Sequence, residues 1–126
     1  MTDFTEIPEL VNAYYLGMYT GDGELLRQVF DPSARVRGFF ADRFLDSDLD
    51  AFLAAMTSGE SPMQLGQPQS VEIVHSRADE DVATVVVRDT LHGVTFIDHL
   101  ALMRRSGAWK VMHKAYFTPS QLPARR

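Results

Sequence analysis

The chain has 126 residues, 45% of them hydrophobic, and its 12 basic and 17 acidic side chains leave a formal net charge of −5. This length predicts one domain over 1–126, large enough to enclose a hydrophobic core. The acidic balance disfavours a nucleic-acid partner, which would need a basic surface, and the absence of cysteine excludes disulfides and thiolate metal sites. An acidic start and no apolar run of about 18 residues predict a cytoplasmic protein with no secretory signal and no membrane partner.

Apolar residues recur at helical spacing through the first half of the chain. The predicted elements are a helix over 6–20 capped by Thr5, a helix over 23–30, a strand over 35–40 and a helix that begins after Ser47. Gly21 ends the first helix, because glycine readily takes the left-handed conformation found at a helix C-terminus.

From residue 70 onward the apolar residues alternate with a period of two, which is typical of strands. The predicted strands are 71–77, 82–91, 94–105 and 108–118, with a loop over 58–69 before them and a loose tail over 119–126 after them. The turns between these strands are too short for crossovers, so neighbouring strands must be antiparallel. This order predicts an α+β fold, with three N-terminal helices packed on one face of a sheet.

Short turns fix the register of the strands, and the register decides the face that each side chain occupies. A regular register through the turn at Ser106-Gly107 pairs Leu100 with His113. The face expected to cover the helices then carries Asp89, Phe96, Asp98, Leu100, Leu102, Trp109, Val111, His113, Ala115 and Phe117. The opposite face carries Ile97, His99, Ala101, Met103, Lys110, Met112, Lys114 and Tyr116.

In this register Asp89, Asp98 and His113 lie close together on an otherwise apolar inner face. A buried carboxylate without a partner is costly and has a raised pKa, so the group needs an explanation. Two interpretations are open: a hydrogen-bonded network that holds the helices, or the polar part of a ligand pocket. Hydroxyls for either arrangement could come from the first helix, at Tyr14, Tyr15 and Tyr19.

Neither a metal site nor a cofactor is predicted. No two of the four histidines lie four residues apart on a predicted helix, as a helical zinc site would need. The acidic segment that begins at Asp46 lacks the glycine and glutamate of a calcium-binding loop. Gly21-Asp22-Gly23 joins two helices rather than a strand and a helix, so it predicts a helix cap and not a phosphate-binding loop.

Two segments of the chain resemble a known family. They are YYLGMYTGDGELLRQVFDPSARVRG near the start and FIDHLALMRRSGAWKVMHKAYF in the last two strands. The shared patterns are Tyr-x-Gly-x-Tyr-x-Gly-Asp at 15–22, Phe-x-Pro-x-Ala at 30–34, Phe-x-Asp-x-Leu-x-Leu at 96–102 and Gly-x-Trp-Lys-Val at 107–111. With these patterns, the chain resembles the putative lumazine-binding family of the nuclear transport factor 2-like superfamily.

The resemblance implies a cone of three helices wrapped by a curved antiparallel sheet, with a pocket inside and, often, a homodimer formed through the outer sheet face. Relatives commonly have a histidine at the positions of Asp31 and Phe117, so the roles of those histidines are not transferred to this chain. Relatives include isomerases, polyketide cyclases, epoxide hydrolases and binding domains, so the fold leaves the function open.

The first functional hypothesis is a protein that binds a small hydrophobic, aromatic or heterocyclic molecule between the helices and the sheet. The expected ligand-binding residues are Tyr15, Tyr19, Phe39, Phe44, Phe96, Trp109 and Phe117. The alternative is a cofactor-free acid/base enzyme, ketosteroid-isomerase-like or polyketide-cyclase-like, whose catalytic residues would be Asp98, His113 and Asp89. A third hypothesis is a structural homodimer with a vestigial pocket, since the outer sheet face is too apolar for an open sheet in water.

Overall fold

The computed structural model describes residues 3–119, so most of the tail predicted over 119–126 lies outside the described residues. The helices of the described part are α1 (Ile7–Thr20), α2 (Gly23–Val29) and α3 (Leu49–Thr57). The side chains of Asp22 and Asp48 cap α2 and α3 by accepting hydrogen bonds from backbone N–H groups of the first turn. The prediction that Thr5 caps α1 is wrong, because the helix begins one residue later, after Glu6. None of the described helices is long and apolar enough to cross a membrane.

Six strands of the described residues form one sheet in the order β2-β1-β6-β5-β4-β3. Their bounds are β1 (Phe30–Phe40), β2 (Arg43–Asp48), β3 (Val71–Asp79), β4 (Val82–Leu91), β5 (Val94–Arg105) and β6 (Ala108–Phe117). The antiparallel meander β3-β4-β5-β6 is confirmed, and so is the α+β fold with its helices on one sheet face.

The sheet differs from the prediction at its other edge. Strand β1 begins at Phe30, directly after α2, and β2 was not predicted at all. Strand β1 runs parallel to β6, and β2 pairs antiparallel with β1. The helices lie against the inner face of this sheet, and the side chains of α1 that point towards it, among them Leu10, Tyr14 and Tyr15, are fully buried.

The predicted register between β4 and β5 is confirmed. Asp98 lies opposite Val87, and Asp89 lies opposite Phe96. Because alternate residues of a strand share a face, Asp89 and Asp98 are diagonal neighbours on adjacent strands and both point towards the helices. Neither residue has any solvent-exposed surface.

The predicted register between β5 and β6 is correct only near the turn. Leu102 pairs with Val111 as expected, but the next pair along is Ala101 with His113, so Met112 is an extra residue in β6. This β-bulge exchanges the two faces of the strand beyond it. Lys114 and Tyr116, which were predicted to lie on the outer face, point inwards. His113, Ala115 and Phe117, which were predicted to lie inside, occupy the outer face.

The segment between α3 and β3 has neither helix nor strand, as predicted, but it is attached to α1. The Tyr19 hydroxyl donates a hydrogen bond of 2.5 Å to the Gln67 carbonyl oxygen. The Tyr15 hydroxyl accepts one of 2.9 Å from the backbone N–H of Ser70. These two tyrosines, whose rings stack with centroids 5.7 Å apart, therefore hold the loop against the first helix.

Candidate functional site

A cavity of about 240 Å³ opens between the helices and the inner face of the sheet. Most of its wall is apolar, and the residues with polar groups that line it are Ser47, Asp89, Lys114 and Tyr116. The apolar lining consists of Met18, Val36, Phe40, Leu45, Phe52, Ala55, Met56, Leu91 and Phe96. A second cavity of about 190 Å³ shares Met18, Met56 and Phe96 with the first and lies beside it, towards the β4–β5 turn.

The two inner carboxyl groups have different surroundings. Oδ2 of Asp98 accepts a hydrogen bond of 2.6 Å from the hydroxyl of Tyr14, and Asp98 is not among the residues that line the cavity. Asp89 does line the cavity. Both oxygens of Asp89 and Oδ1 of Asp98 are buried and accept no hydrogen bond from the described residues. A proton on Asp89 would give this pair a hydrogen bond, with Asp89 as the donor and Asp98 as the acceptor.

Burial and the neighbouring carboxylate favour that proton. The pKa of Asp89 is raised to about 9, chiefly by loss of solvent and also by the hydrogen bond and negative charge of Asp98, while the positive charge of Lys114 opposes the shift. Asp89 is therefore a neutral carboxylic acid at pH 7. Burial, with the charge of Asp98, also raises the pKa of the Tyr14 and Tyr116 hydroxyls, so both remain hydrogen-bond donors.

Lys114 provides the positive charge of the site. Its side chain is about 6% exposed, and Nζ lies 3.9 Å from Oδ2 of Asp98. Nζ also lies 4.8 Å from the ring centre of Phe52, 5.1 Å from that of Tyr14 and 5.3 Å from that of Tyr116. An ammonium group within about 6 Å of a ring is attracted to its face, so three rings help to stabilise the buried charge.

Tyr116 is positioned by the glycine of the neighbouring strand. Gly38 pairs with Tyr116 in the β1–β6 ladder, and the ring lies across the glycine backbone. A Cβ atom added at Gly38 would come within 2.3 Å of Cδ1 of this ring, which leaves no room for any side chain. The close approach explains why glycine is needed here, and it fixes Tyr116 in the wall of the cavity.

His113, predicted as a catalytic residue, is separated from both aspartates by the sheet. Its Nε2 lies 3.3 Å from Nη1 of Arg37 on the outer face, where Arg37 also forms an ion pair with Asp46. The prediction of an inner-face histidine is wrong because it assumed a regular β6. The imidazole of His113 therefore cannot contact a molecule in the cavity.

The predicted aromatic residues divide into three groups. Phe96 lines the cavity. Phe39, Phe44 and Phe117 lie on the outer face and are 52%, 59% and 43% exposed, so the structure does not bring them to the cavity. The remaining three are buried but do not line it: Tyr15 and Tyr19 hold the loop, and Trp109 lies near the β5–β6 turn under the guanidinium of Arg104.

The most informative residues that sequence reasoning missed are Lys114 and Tyr116. Charge balance is the signal that could have found Lys114, because two inward carboxyl groups with one histidine leave a negative charge without a partner. The small residue at Gly38, opposite Tyr116, indicates a large ring nearby only when the pairing of β1 with β6 is known. Within residues 3–119, no group of three or more His, Cys, Asp or Glu residues is arranged to hold a metal ion.

Comparison with solved structures defines the class of fold. A nuclear transport factor 2-like protein of unknown function from Silicibacter pomeroyi DSS-3 superposes with a TM-score of 0.83 and 24% identity, covering 90% of this chain and 92% of that one. A second such protein from Shewanella baltica OS155 gives 0.78 and 22%, with the same coverage of both chains. A third, from Methylobacillus flagellatus KT, gives 0.75 and 17%, covering 94% of this chain and all of the other. The chain therefore has a nuclear transport factor 2-like fold.

The family is identified at the level of sequence. The family described as putative lumazine-binding matches residues 2–117, which is nearly the whole chain. This protein belongs to that family, as the resemblance of its opening helices and last strands indicated. None of the curated proteins matches the chain.

The raised pKa of Asp89 predicts that stability depends on pH. The carboxyl group ionises near its ordinary value of 3.8 in the unfolded chain and near 9 in the native protein, so between these values the native state binds one more proton. The contribution to stability is complete below pH 3.8 and decreases as the pH rises towards 9, by up to about 1.4 kcal/mol per pH unit. Asp89→Asn, which cannot ionise, should show a shallower pH dependence when unfolding by urea is followed from pH 5 to pH 9.

A matched control is Asp42→Asn, at an exposed position in the turn between β1 and β2. This variant should retain the pH dependence of the wild type. Parallel stability curves for the wild type and Asp89→Asn would contradict the protonated state of Asp89.

Proposed function

We propose that this protein binds a small aromatic or heterocyclic molecule in the cavity between the helices and the sheet. The observation that carries the proposal is an apolar cavity of about 240 Å³ into which two buried polar groups, Asp89 and Lys114, are directed. Ligand sites are commonly apolar, with a few polar groups that orient the ligand. This volume lies slightly below the usual range of about 300–1,000 Å³ for such sites, which favours a ligand with one or two rings.

The description of the family supports the same class of ligand, because lumazine is a small bicyclic heterocycle. The carbonyl oxygen of the protonated Asp89 can accept a hydrogen bond from a ring N–H, and the ammonium of Lys114 can donate one to a ring carbonyl or nitrogen. Phe96 and Phe52 add aromatic surface to the wall, against which a flat ring can pack. Asp98 would act indirectly, through its hydrogen bond with a protonated Asp89.

A cofactor-free acid/base enzyme is the second candidate function. The observation that favours it is the pKa of Asp89, raised to about 9 within the cavity wall, which would keep a proton available for transfer to a bound molecule. Asp89 is the better candidate for this role, because Asp98 does not line the cavity and already accepts from Tyr14. Asp89→Asn separates the two functions: an enzyme would lose turnover while it still binds, whereas a binding protein has no turnover to lose.

Neighbouring alanines in α3 offer a direct test of ligand binding. Ala55 lines the cavity, whereas Ala54 is exposed and does not line it. Ala55→Trp should occupy part of the cavity and weaken binding at least about tenfold, while Ala54→Trp, with the same change in helix propensity, should bind as the wild type does. The measurement is a titration with lumazine and with a library of one- and two-ring fragments, followed by protein NMR.

The binding proposal fails if no compound of this set binds the wild type. It also fails if Ala55→Trp and Ala54→Trp bind every hit equally well, since the ligands would then occupy another site. Thermal melts of both variants show whether the folded state is retained.

We also propose that two copies of the chain associate through the outer sheet face. Phe44, Phe39, Phe117 and Ile97 are consecutive partners across β2, β1, β6 and β5, so they form one apolar row. Three of these side chains are exposed by 43–59%, and an apolar surface of this kind is typical of an interface. The row differs from the interface predicted from the sequence, because Tyr116 faces inwards.

The variant Phe39→Glu/Phe117→Glu should therefore be monomeric, because it places charges in the centre of the row. Met63→Glu is the control, since Met63 is exposed in the loop after α3 and lies outside the sheet. Sedimentation velocity at roughly tens of micromolar should give dimers for the wild type and for the control. A monomeric wild type at that concentration would contradict the proposed dimer.

A further inference from the structure

Lys114 has more hydrogen-bond donors than the described residues satisfy. An ammonium group carries three N–H bonds. The acceptor that the structure gives Nζ is the sulfur of Met18, at 3.7 Å, and a thioether is a weak acceptor. Oδ2 of Asp98 lies at 3.9 Å, beyond hydrogen-bonding distance, and already accepts from Tyr14 at 2.6 Å.

The surroundings of Lys114 stabilise its charge but leave these donors unused. The rings of Phe52, Tyr14 and Tyr116 interact with the ammonium through their faces and accept no conventional hydrogen bond. The residue is about 95% buried and forms part of the cavity wall. A buried donor without an acceptor is unfavourable, and more so when it is charged. An acceptor oxygen placed in the cavity would relieve this cost.

The charges around the cavity indicate what kind of acceptor fits. Lys114 is the only lysine or arginine among the described residues that line it. The second polar group of the wall is Asp89, and neither of its oxygens accepts a hydrogen bond from the described residues. The single proton of Asp89 has Asp98 as its acceptor, so Lys114 is the charged donor that remains for a ligand. An ammonium group with unused N–H donors fits a negatively charged group with two acceptor oxygens.

We propose that the ligand of this cavity is a small organic carboxylate whose oxygens accept hydrogen bonds from the ammonium group of Lys114. The proposal rests on the ligand-binding function proposed above and adds the chemical class of the ligand. The apolar part of the molecule packs against Phe52, Phe96 and Met56 in the rest of the wall. A carboxylate is favoured over a neutral carbonyl because a hydrogen bond between two charged groups is roughly twice as strong as one between neutral groups.

The test compares each acid with its neutral amide, which has nearly the same shape. The probes are benzoate, cyclohexanecarboxylate and 3-phenylpropanoate, each paired with the corresponding primary amide, at pH 7. Dissociation constants are measured by NMR titration of the isotopically labelled protein. At least one acid should bind about tenfold or more tightly than its amide.

The lysine content of the chain provides a matched control. Lys110 and Lys114 are the only lysines in the sequence, and both lie in β6. Lys110 does not line the cavity and donates a hydrogen bond of 2.5 Å to the backbone oxygen of Gln28. Lys114→Gln should abolish the preference for the acid, whereas Lys110→Gln, which removes the same charge from the same strand, should retain it.

A second readout needs no variant and applies even if Lys114→Gln does not fold. In wild-type protein labelled with ¹³C-lysine, saturation with the acid should shift the Cε–Hε signals of Lys114 and leave those of Lys110 unchanged. Acids and amides that bind equally well would overturn the carboxylate proposal and leave the ligand-binding function intact. Failure of all six probes to bind would overturn the carboxylate proposal, while the titration with lumazine and the fragment library decides separately whether the cavity binds ligands. Binding of the acids with no change at the Lys114 signals would overturn the present proposal alone.

Discussion

The extra residue Met112 in β6 determines which side chains of the last strand meet the helices. Before the bulge, Trp109 and Val111 point inwards and are almost fully buried. Beyond it, Lys114 and Tyr116 take the inward positions that a regular strand would give to histidine, alanine and phenylalanine. The bulge therefore brings a positive charge and a hydroxyl into the core, and the contacts that Lys114 and Tyr116 make there depend on it.

The bulge turns the positive charge of Lys114 inwards, and this charge offsets part of the cost of burying the two inner aspartates. Ionisation of both carboxyl groups would leave the buried site with a net negative charge. With Asp89 protonated, Asp98 and Lys114 carry opposite charges 3.9 Å apart, and the hydroxyl of Tyr14 completes the surroundings of Asp98. The site is then neutral overall and can persist in an apolar environment. Asp98 does not line the cavity and is held by its hydrogen bond with Tyr14, whereas Asp89 and Lys114 are directed towards the cavity.

Several elements of the fold follow directly from local sequence patterns. Tight turns at 92–93 and 106–107, between strongly alternating segments, specified the pairing of β4 with β5 and the start of the pairing of β5 with β6. For this reason Asp89 and Asp98 could be placed together on the inner face. The acidic caps Asp22 and Asp48 stand directly before α2 and α3, where the sequence indicates helix starts.

Other features depend on contacts between distant parts of the chain. Strand β2 is short and mostly exposed, and it is defined by its partner β1 rather than by strong alternation of apolar residues. The bulge at Met112 has no turn residue or glycine to reveal it, and the segment from Met112 to Phe117 alternates acceptably in either register. The partners of Lys114 come from α1, α3 and β5 as well as from its own strand. Such a group can be recognised only after the helices have been packed on the sheet.

The central claim is that Asp89 is a neutral carboxylic acid in the wall of the cavity, paired with Asp98 and adjacent to Lys114. Titration of the aspartate carboxyl carbons by ¹³C NMR tests this most directly, with the Asp89 signal assigned from the spectrum of Asp89→Asn. The structure predicts that the Asp89 signal keeps the chemical shift of a protonated acid through neutral pH and moves only near pH 9. A transition near pH 4, as for an ordinary exposed aspartate, would contradict the account.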